Sequence, residues 1–376
     1  MRLSPLPRFR CAAGLAVLPL AAVVATPPTF LHRELSPEVG HTLVVDLDGD
    51  GRNDVALHLH RDDQHLGKLT GRVLGLAYLR YPDFQRIEIF RGDVTGDRFA
   101  AADVNRDGRI DLVSCRALAG GRQHLAWYEN PGPPPAAGPA PAWREHVAGE
   151  IPAGQIKDVL AGDLDRDGRP DLVVRMLTTT ELFLQGLAGA WHHRTLTHPT
   201  REGLALADLD LDGDLDLVLN GFWFETPADA ARGEFVRRDF DPKWFTQTGG
   251  GWPDNAAYVQ VADLNRDGLP DIVICHSEKV GYPVSWYSVA SLAQVRTGPW
   301  REHVIAPVFD WCETLGVGDL DRDGSPDVFA AKFPRHDPPG GRWYNAPPYP
   351  VSIFYNVAGD GSRWTRQDLA RDGTYA

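Results

Sequence analysis

The sequence predicts an all-β fold, a propeller of four-stranded blades carrying acidic loops, and three observations lead there. One nonapeptide, D-x-[DN]-x-D-G-x-x-D, recurs six times in 376 residues, its copies begin 57, 60, 45, 55 and 56 residues apart, and short apolar runs of strand length flank them. That period is too long for a hexapeptide solenoid and fits four short strands per repeat. Composition agrees: 43% hydrophobic and 24% charged residues describe a globular chain, and Gly 38 with Pro 30 supply the turns that many short strands need. A net charge of -13 argues against nucleic acid as a partner.

In chain order, residues 1–25 read as a secretory signal, with Arg2, Arg8 and Arg10 ahead of an apolar run from Ala12 to Ala25 that is too short to span a bilayer. Residues 26–376 then form a single domain, expected to be secreted, periplasmic or at the cell surface. No stable membrane insertion is expected after cleavage, because no other run approaches the roughly 20 apolar residues of a membrane helix. Cys115, Cys275 and Cys312 remain, so at most one internal disulfide can form. Cys275 leaves the fifth unit and Cys312 begins the sixth on the same expected face, which makes them the candidate pair.

The acidic loops supply four ligand positions each: Asp46, Asp48, Asp50 and Asp54; Asp103, Asn105, Asp107 and Asp111; Asp163, Asp165, Asp167 and Asp171; Asp208, Asp210, Asp212 and Asp216; Asp263, Asn265, Asp267 and Asp271; Asp319, Asp321, Asp323 and Asp327. Oxygens at alternate positions, a Gly for the reversal and a closing carboxylate are what a hard cation such as Ca²⁺ requires, which predicts up to six structural calcium ions. These positions take 22 of the 51 acids, so the acidity is mostly metal demand. Asn105 and Asn265 leave the second and fifth loops one charge short.

Around each loop the unit reads strand, loop, strand: Thr42 to Val45 and Tyr258 to Ala262 precede loops, while Val55 to Leu59, Leu172 to Val174, Leu217 to Leu219 and Ile272 to Ile274 follow them. Third strands are read at Leu125 to Tyr128, Val284 to Tyr287 and Ser352 to Tyr355. Outer strands open on Trp143, Trp191, Phe235, Trp300 and Trp364. Phe30 to Leu35 and Arg86 to Phe90 add two further outer strands, giving seven against six inner units. Asp372 to Ala376 stops where a seventh loop is due, so the expected plan has seven blades with the last incomplete.

With these residues in place, the sequence resembles the FG-GAP or VCBS repeat family, calcium-loop propellers related to the integrin α-chain head. The resemblance covers nearly everything after the signal. It implies the fold and the calcium, but not the activity, because that family includes adhesion heads, surface proteins and propeller enzymes acting on sugars.

Chemistry is expected on the face opposite the loops, where inner strands begin and second strands end. The fifth and sixth units are richest there: Asp254, His276, Glu278, Lys279 and Glu313 are the candidate acid, base and cation groups, and Trp252, Asn255, Tyr282, Arg116, Arg175 and Lys332 the candidate ligand contacts. His276 beside Glu278 or Glu313 also offers donors to an additional transition metal. Two functions compete. The first is a binder of a carbohydrate or an extracellular protein; the alternative is a carbohydrate lyase or dehydratase. Serine-hydrolase, nucleotide-loop and zincin signatures are absent from the sequence.

Overall fold

The computed structural model describes residues 39–60, 73–133, 141–199, 201–248, 254–332 and 351–369. The signal segment, Phe30 to Leu35, Trp252 and Asp372 to Ala376 lie outside the described residues. The fold is nearly all β, with one short helix at Leu292–Val295. Among the described residues no helix is long and apolar enough to cross a membrane.

Each unit is a four-stranded antiparallel meander. The first holds β1 (Val39–Val45), β2 (Asp54–His60), β3 (Val73–Arg80) and the start of β4 (Gln85–Ala102). The end of β4 opens the second unit, which continues through β5 (Asp111–Ala117), β6 (Gln123–Glu129) and β7 (Arg144–Ile151). The third comprises β8 (Ile156–Gly162), β9 (Asp171–Met176), β10 (Thr179–Gln185) and β11 (Trp191–Thr197), and the fourth β12 (Ala205–Ala207), β13 (Asp216–Val218), β14 (Phe222–Glu225) and β15 (Val236–Asp239). The fifth runs β16 (Ala257–Ala262), β17 (Asp271–His276), β18 (Val284–Ser288) and β19 (Arg301–Ala306); the sixth runs β20 (Cys312–Gly318), β21 (Asp327–Lys332), β22 (Val351–Tyr355) and β23 (Thr365–Leu369).

Arg86 to Phe90 is the outer strand of the first unit, so each of the six units has its own outer strand. Strand β4 pairs with β3 as far as Val94 and with β5 from Val94 onward, so units one and two merge into one seven-stranded sheet.

Alternation along the strands puts apolar residues on both faces, and successive units bury them against each other. Leu112, Ala126 and Tyr128 of unit two pack on Ala56, Leu76 and Tyr78 of unit one. Four further cores of this kind join units two to six in turn. A smaller cluster, Leu57, Leu59, Ala77 and Leu79, lies on the far face of unit one. Outer strands are half wet, and their histidines stack on third-strand rings: His146 on Trp127 at 4.1 Å, His193 on Phe183 at 4.6 Å and His303 on Trp286 at 4.0 Å. A disulfide joins Cys275 at the end of β17 to Cys312 at the start of β20, with Cα atoms 6.1 Å apart, while Cys115 is buried and free.

Candidate functional site

The acidic loops all close the same hairpin. The residue before the first Asp pairs with the ninth-position Asp, as in Val45 with Asp54, Gly162 with Asp171 and Gly318 with Asp327. The fourth position is left-handed throughout, at φ values from 56 to 74° through Gly49, Arg106, Arg166, Leu211, Arg266 and Arg322. The first Asp turns inward and accepts two loop N–H groups, as Asp163 does from Asp167 at 3.1 Å and Gly168 at 2.9 Å.

The ninth Asp does more than close the loop. In the third loop Asp171 Oδ2 accepts the Leu164 N–H at 2.9 Å and Oδ1 accepts the Gln185 N–H at 2.7 Å, tying the loop to the end of the third strand. Asp54, Asp111, Asp216 and Asp327 make the same pair of contacts. Burial pushes the carboxyl of Asp111 up to about 6, that of Asp171 to about 7 and those of Asp216 and Asp271 to about 8, against the lowering effect of the backbone donors. At three of these corners an amide makes a latch to the preceding unit: Asn130 Nδ2 donates to Leu47 O at 2.7 Å, Gln185 Nε2 to Val104 O at 3.0 Å and Asn356 Nδ2 to Leu264 O at 2.8 Å.

The loops fit a hard cation unequally. Carboxylate oxygens of Asp46, Asp48 and Asp50, of Asp163, Asp165 and Asp171, of Asp208, Asp210 and Asp216, and of Asp319, Asp321 and Asp327 lie within 4.8 Å of one another. Asp165 Oδ1 is buried with no hydrogen-bond partner, which is the kind of orphan a metal satisfies. In two loops an arginine already pairs with the third position: Arg80 meets Asp48 at 2.5 Å and Arg296 meets Asp210 at 2.5 Å. In loops two and five the Asn105 and Asn265 amides donate to Asp107 and Asp267 at 3.1 and 2.9 Å.

At the other end of the strands, five units converge on one charged cluster. Lys157 of β8 pairs with Glu202 at 2.7 Å, the Ser277 hydroxyl donates to Glu202 Oε2 at 2.8 Å, and Tyr258 OH donates to Glu313 Oε2 at 3.5 Å. Arg98, from the irregular middle of β4, pairs with Asp158 at 3.3 Å and lies over the Tyr258 ring at 4.4 Å. Oxygens of Glu202, Glu278 and Glu313 lie within 4.8 Å of one another. Burial, then the carboxylates of Glu202 and Glu278, push Glu313 up to about 9, so it is protonated at neutral pH.

The other candidate residues take varied places. Arg175 lies fully buried beneath the cluster, donates to Gly203 O at 2.7 Å, and is lowered by burial to about 10. Asp254 pairs with Lys279, whose Nζ also donates to Gln247 Oε1 at 2.8 Å. Asn255 accepts the Gln247 N–H on Oδ1 at 2.9 Å. His276 is fully buried, and its Nδ1 accepts the Glu278 N–H at 3.2 Å, which leaves Nε2 to donate to Gln247 Oε1 at 3.0 Å. Burial and the nearby Lys279 hold it well down, at about 3, so it is neutral.

With both ring nitrogens engaged and Tyr282 packed at 4.4 Å, His276 is a core residue, and the metal-capable group on this face consists of carboxylates without it. An all-carboxylate set suits a hard cation such as Mg²⁺, Ca²⁺ or Mn²⁺ better than metals that prefer imidazole or thiolate. Arg116 lies instead between outer strands, paired with Glu145 at 2.5 Å and over Phe90 at 5.0 Å, and Lys332 sits over Phe309 at 4.8 Å. Gln247, Arg98 and Tyr258 carry no sequence signal of a role here; Gln247 in particular sits in a loop with no motif.

Together these features define a propeller-type array of four-stranded sheets with an acidic loop between the first two strands of each. A family model described as an FG-GAP-like repeat matches residues 103–174, from the second acidic loop into β9, so this part of the chain carries an FG-GAP-like repeat. A sequence comparison with curated proteins gave no match.

Among solved structures, the chain resembles an Agrocybe aegerita lectin described as recognising non-reducing terminal N-acetylglucosamine. The two share 15% identity over 90% of this chain and 82% of that one, with a TM-score of 0.52, a likeness of fold. A crystal structure of BBS1N in complex with ARL6DN, soaked with lead, shares 11% identity over 78% of this chain and 90% of that one; its TM-score of 0.36 carries no argument.

Proposed function

We propose that the protein is an exported, calcium-stabilised propeller that binds a glycan at the face opposite its acidic loops. The observation that carries this reading is the convergence of Arg98, Lys157, Asp158, Glu202, Glu278 and Glu313 from separate units onto one end of the strands. Carboxylates, an ammonium and a guanidinium held close together are the groups that grip sugar hydroxyls. The lectin's fold and its sugar ligand support a glycan over an extracellular protein as the partner.

Calcium is assigned to the loops on their donor chemistry, with the third loop the best fit. A seven-bladed plan remains the reading of the ring. It is supported by Leu320, the second residue of the last loop, which is 37% exposed where Leu47, Val104, Leu164, Leu209 and Leu264 are at most 3% exposed. No contact comparable to those between successive inner strands joins β20 to β1 among the described residues. Export is supported by the basic residues Arg2, Arg8 and Arg10 ahead of the apolar run from Ala12 to Ala25.

The test is binding of the purified mature chain to a glycan panel, in calcium and after EDTA. Selective binding that weakens on chelation supports the proposal, and a calcium-loaded, folded protein that binds no glycan refutes it. The enzymatic alternative draws on one observation, the protonated Glu313 beside the Lys157–Glu202 pair, which is an acid placed next to other charged groups. Release of an unsaturated sugar product from the same panel would favour it.

A further inference from the structure

The fourth acidic loop differs from the others in charge. Its seventh position is Asp214, where the first three loops carry Arg52, Arg109 and Arg169, so five carboxylates fall within nine residues. Asp210 and Asp214 are buried, at 3% and 2% exposure, and Oδ1 of each has no hydrogen-bond partner. Oxygens of Asp208, Asp210 and Asp216 lie within 4.8 Å of one another. A hard cation fits that set, both by donor type and by the buried oxygens it would satisfy.

Positive charge reaches this loop from the neighbouring units. Arg166 of the third loop donates to Asp212 O and lies 3.6 Å from Asp214 Oδ2. Arg296 comes from unit five, where it caps the short helix Leu292–Val295 between β18 and β19. That helix is pinned, because Val295 is buried in the core between units four and five and its carbonyl accepts the Trp300 indole N–H at 3.3 Å. From there one guanidinium spans three carboxylates: Nη2 meets Asp210 at 2.5 Å and Asp212 at 3.2 Å, and Nε meets Glu225 at 2.9 Å. In the first loop, by contrast, Arg80 meets Asp48 from within its own unit. An ion held by Asp210 therefore has the Arg296 charge close by, and the two cations repel.

We propose that Arg296 competes with the cation of the fourth loop for Asp210, holding down that loop's calcium affinity and tying its filling to the contact between units four and five. This rests on the calcium reading of the loops and adds the residue that sets one loop apart.

The experiment measures calcium binding to the purified, metal-free mature chain by equilibrium dialysis, with melting curves in EDTA to show that each protein is folded. It compares the wild type, Arg296→Gln, and Arg296→Gln combined with Asp210→Asn. Arg296→Gln is expected to tighten one site about 10-fold with the number of ions at saturation unchanged, and Asp210→Asn in that background to abolish the tightened site. Arg296→Lys replaces a fork that spans three carboxylates by a single ammonium and is expected to tighten the same site about 2–3-fold, which carries the test if Arg296→Gln does not fold. Unchanged or weaker calcium binding in a folded Arg296 variant overturns the proposal, as does a tightened site that survives Asp210→Asn; in both cases calcium uptake by the wild type leaves the calcium reading standing. A folded wild-type chain that takes up no calcium removes that reading and this proposal together.

Discussion

Replacing Asp171 by Ala separates the two duties of the ninth loop position, holding the fold and holding a metal. The carboxylate is fully buried and accepts the Leu164 N–H at 2.9 Å and the Gln185 N–H at 2.7 Å. Each buried donor left without an acceptor costs about 1–3 kcal/mol, so the two together cost about 2–6 kcal/mol. Part of this is offset, because the variant no longer buries a carboxyl that desolvation has pushed up to about 7. A net loss of about 2–4 kcal/mol at neutral pH follows.

Asp165 is the contrast. Its Oδ1 has no hydrogen-bond partner, and its closest electrostatic burden is the Asp163 carboxylate. Without metal, Asp165→Ala therefore removes repulsion and should leave stability unchanged or slightly higher. The assay is urea unfolding followed by tryptophan fluorescence, in EDTA and in millimolar calcium, with bound metal measured by elemental analysis. In EDTA only Asp171→Ala should lower the midpoint; in calcium both variants should lower it and lose one ion per chain. If Asp171→Ala unfolds like the wild type in EDTA, or Asp165→Ala loses as much there, the division of duties is wrong.

Four further outcomes are expected. Glu313 is raised to about 9 in the fold, so the folded chain keeps a proton that the unfolded chain releases above its ordinary carboxylate range; stability from this group is full at low pH and is lost as pH rises towards 9, and Glu313→Gln should flatten that decline in melting temperature. The Cys275–Cys312 disulfide spans 37 residues, for which chain entropy gives about 4 kcal/mol, and an unreduced digest should yield the linked peptide while reduction lowers the unfolding midpoint. His276→Ala should cost about 2–4 kcal/mol in the same unfolding assay, because it opens a cavity, takes one donor from Gln247 and leaves the Glu278 N–H without its acceptor. Asn130→Ala should cost about 1–3 kcal/mol and speed hydrogen exchange at the contact between units one and two, since its amide bonds both Leu47 O and Ile110 O.

What was legible in the sequence follows from which constraints repeat. Asp or Asn at alternate positions with Gly sixth is a demand of local geometry, met six times, so the loops and their hairpins could be read directly. The left-handed fourth position could not, because Arg106, Arg166, Arg266 and Arg322 occupy it and arginine does not announce positive φ. The merging of units one and two carries no sequence signal: β4 runs on past Phe90 through Gly92 and Gly96, both at positive φ, as one 18-residue strand.

Opposite the loops, the residues at strand starts could be read from the sequence, and their partners could not. His276 reads as a functional imidazole in the string Cys275-His276-Ser277-Glu278-Lys279, but a strand end facing the interblade core buries it. Gln247, which accepts from both His276 and Lys279, comes from a loop with no motif. Arg116 was assigned by its register after the second loop; its partner Glu145 on the outer strand draws it away.

The two ends of the strands therefore differ in kind. At the loop end every unit solves the same problem, a reversal between two strands, and three of them add an amide latch to the preceding unit. At the opposite end that constraint is absent, and the residues diverge: Lys157 and Asp158 begin one inner strand, Glu202 precedes another, Asp254 and Asn255 a third, and Glu313 follows the disulfide in the last. Divergence alone would be drift if those residues were dispersed and solvated. Here Lys157 is paired with Glu202 at 2.7 Å with both side chains about nine-tenths buried, and burial, with Glu202 and Glu278 close by, raises Glu313 to about 9. Gathering like charges in a buried place is unfavourable for the fold. A repeat that could have closed this end with apolar residues six times over has instead assembled a different set of ionisable groups at its centre, and that concentration of buried charge is what supports the proposal of a ligand site there.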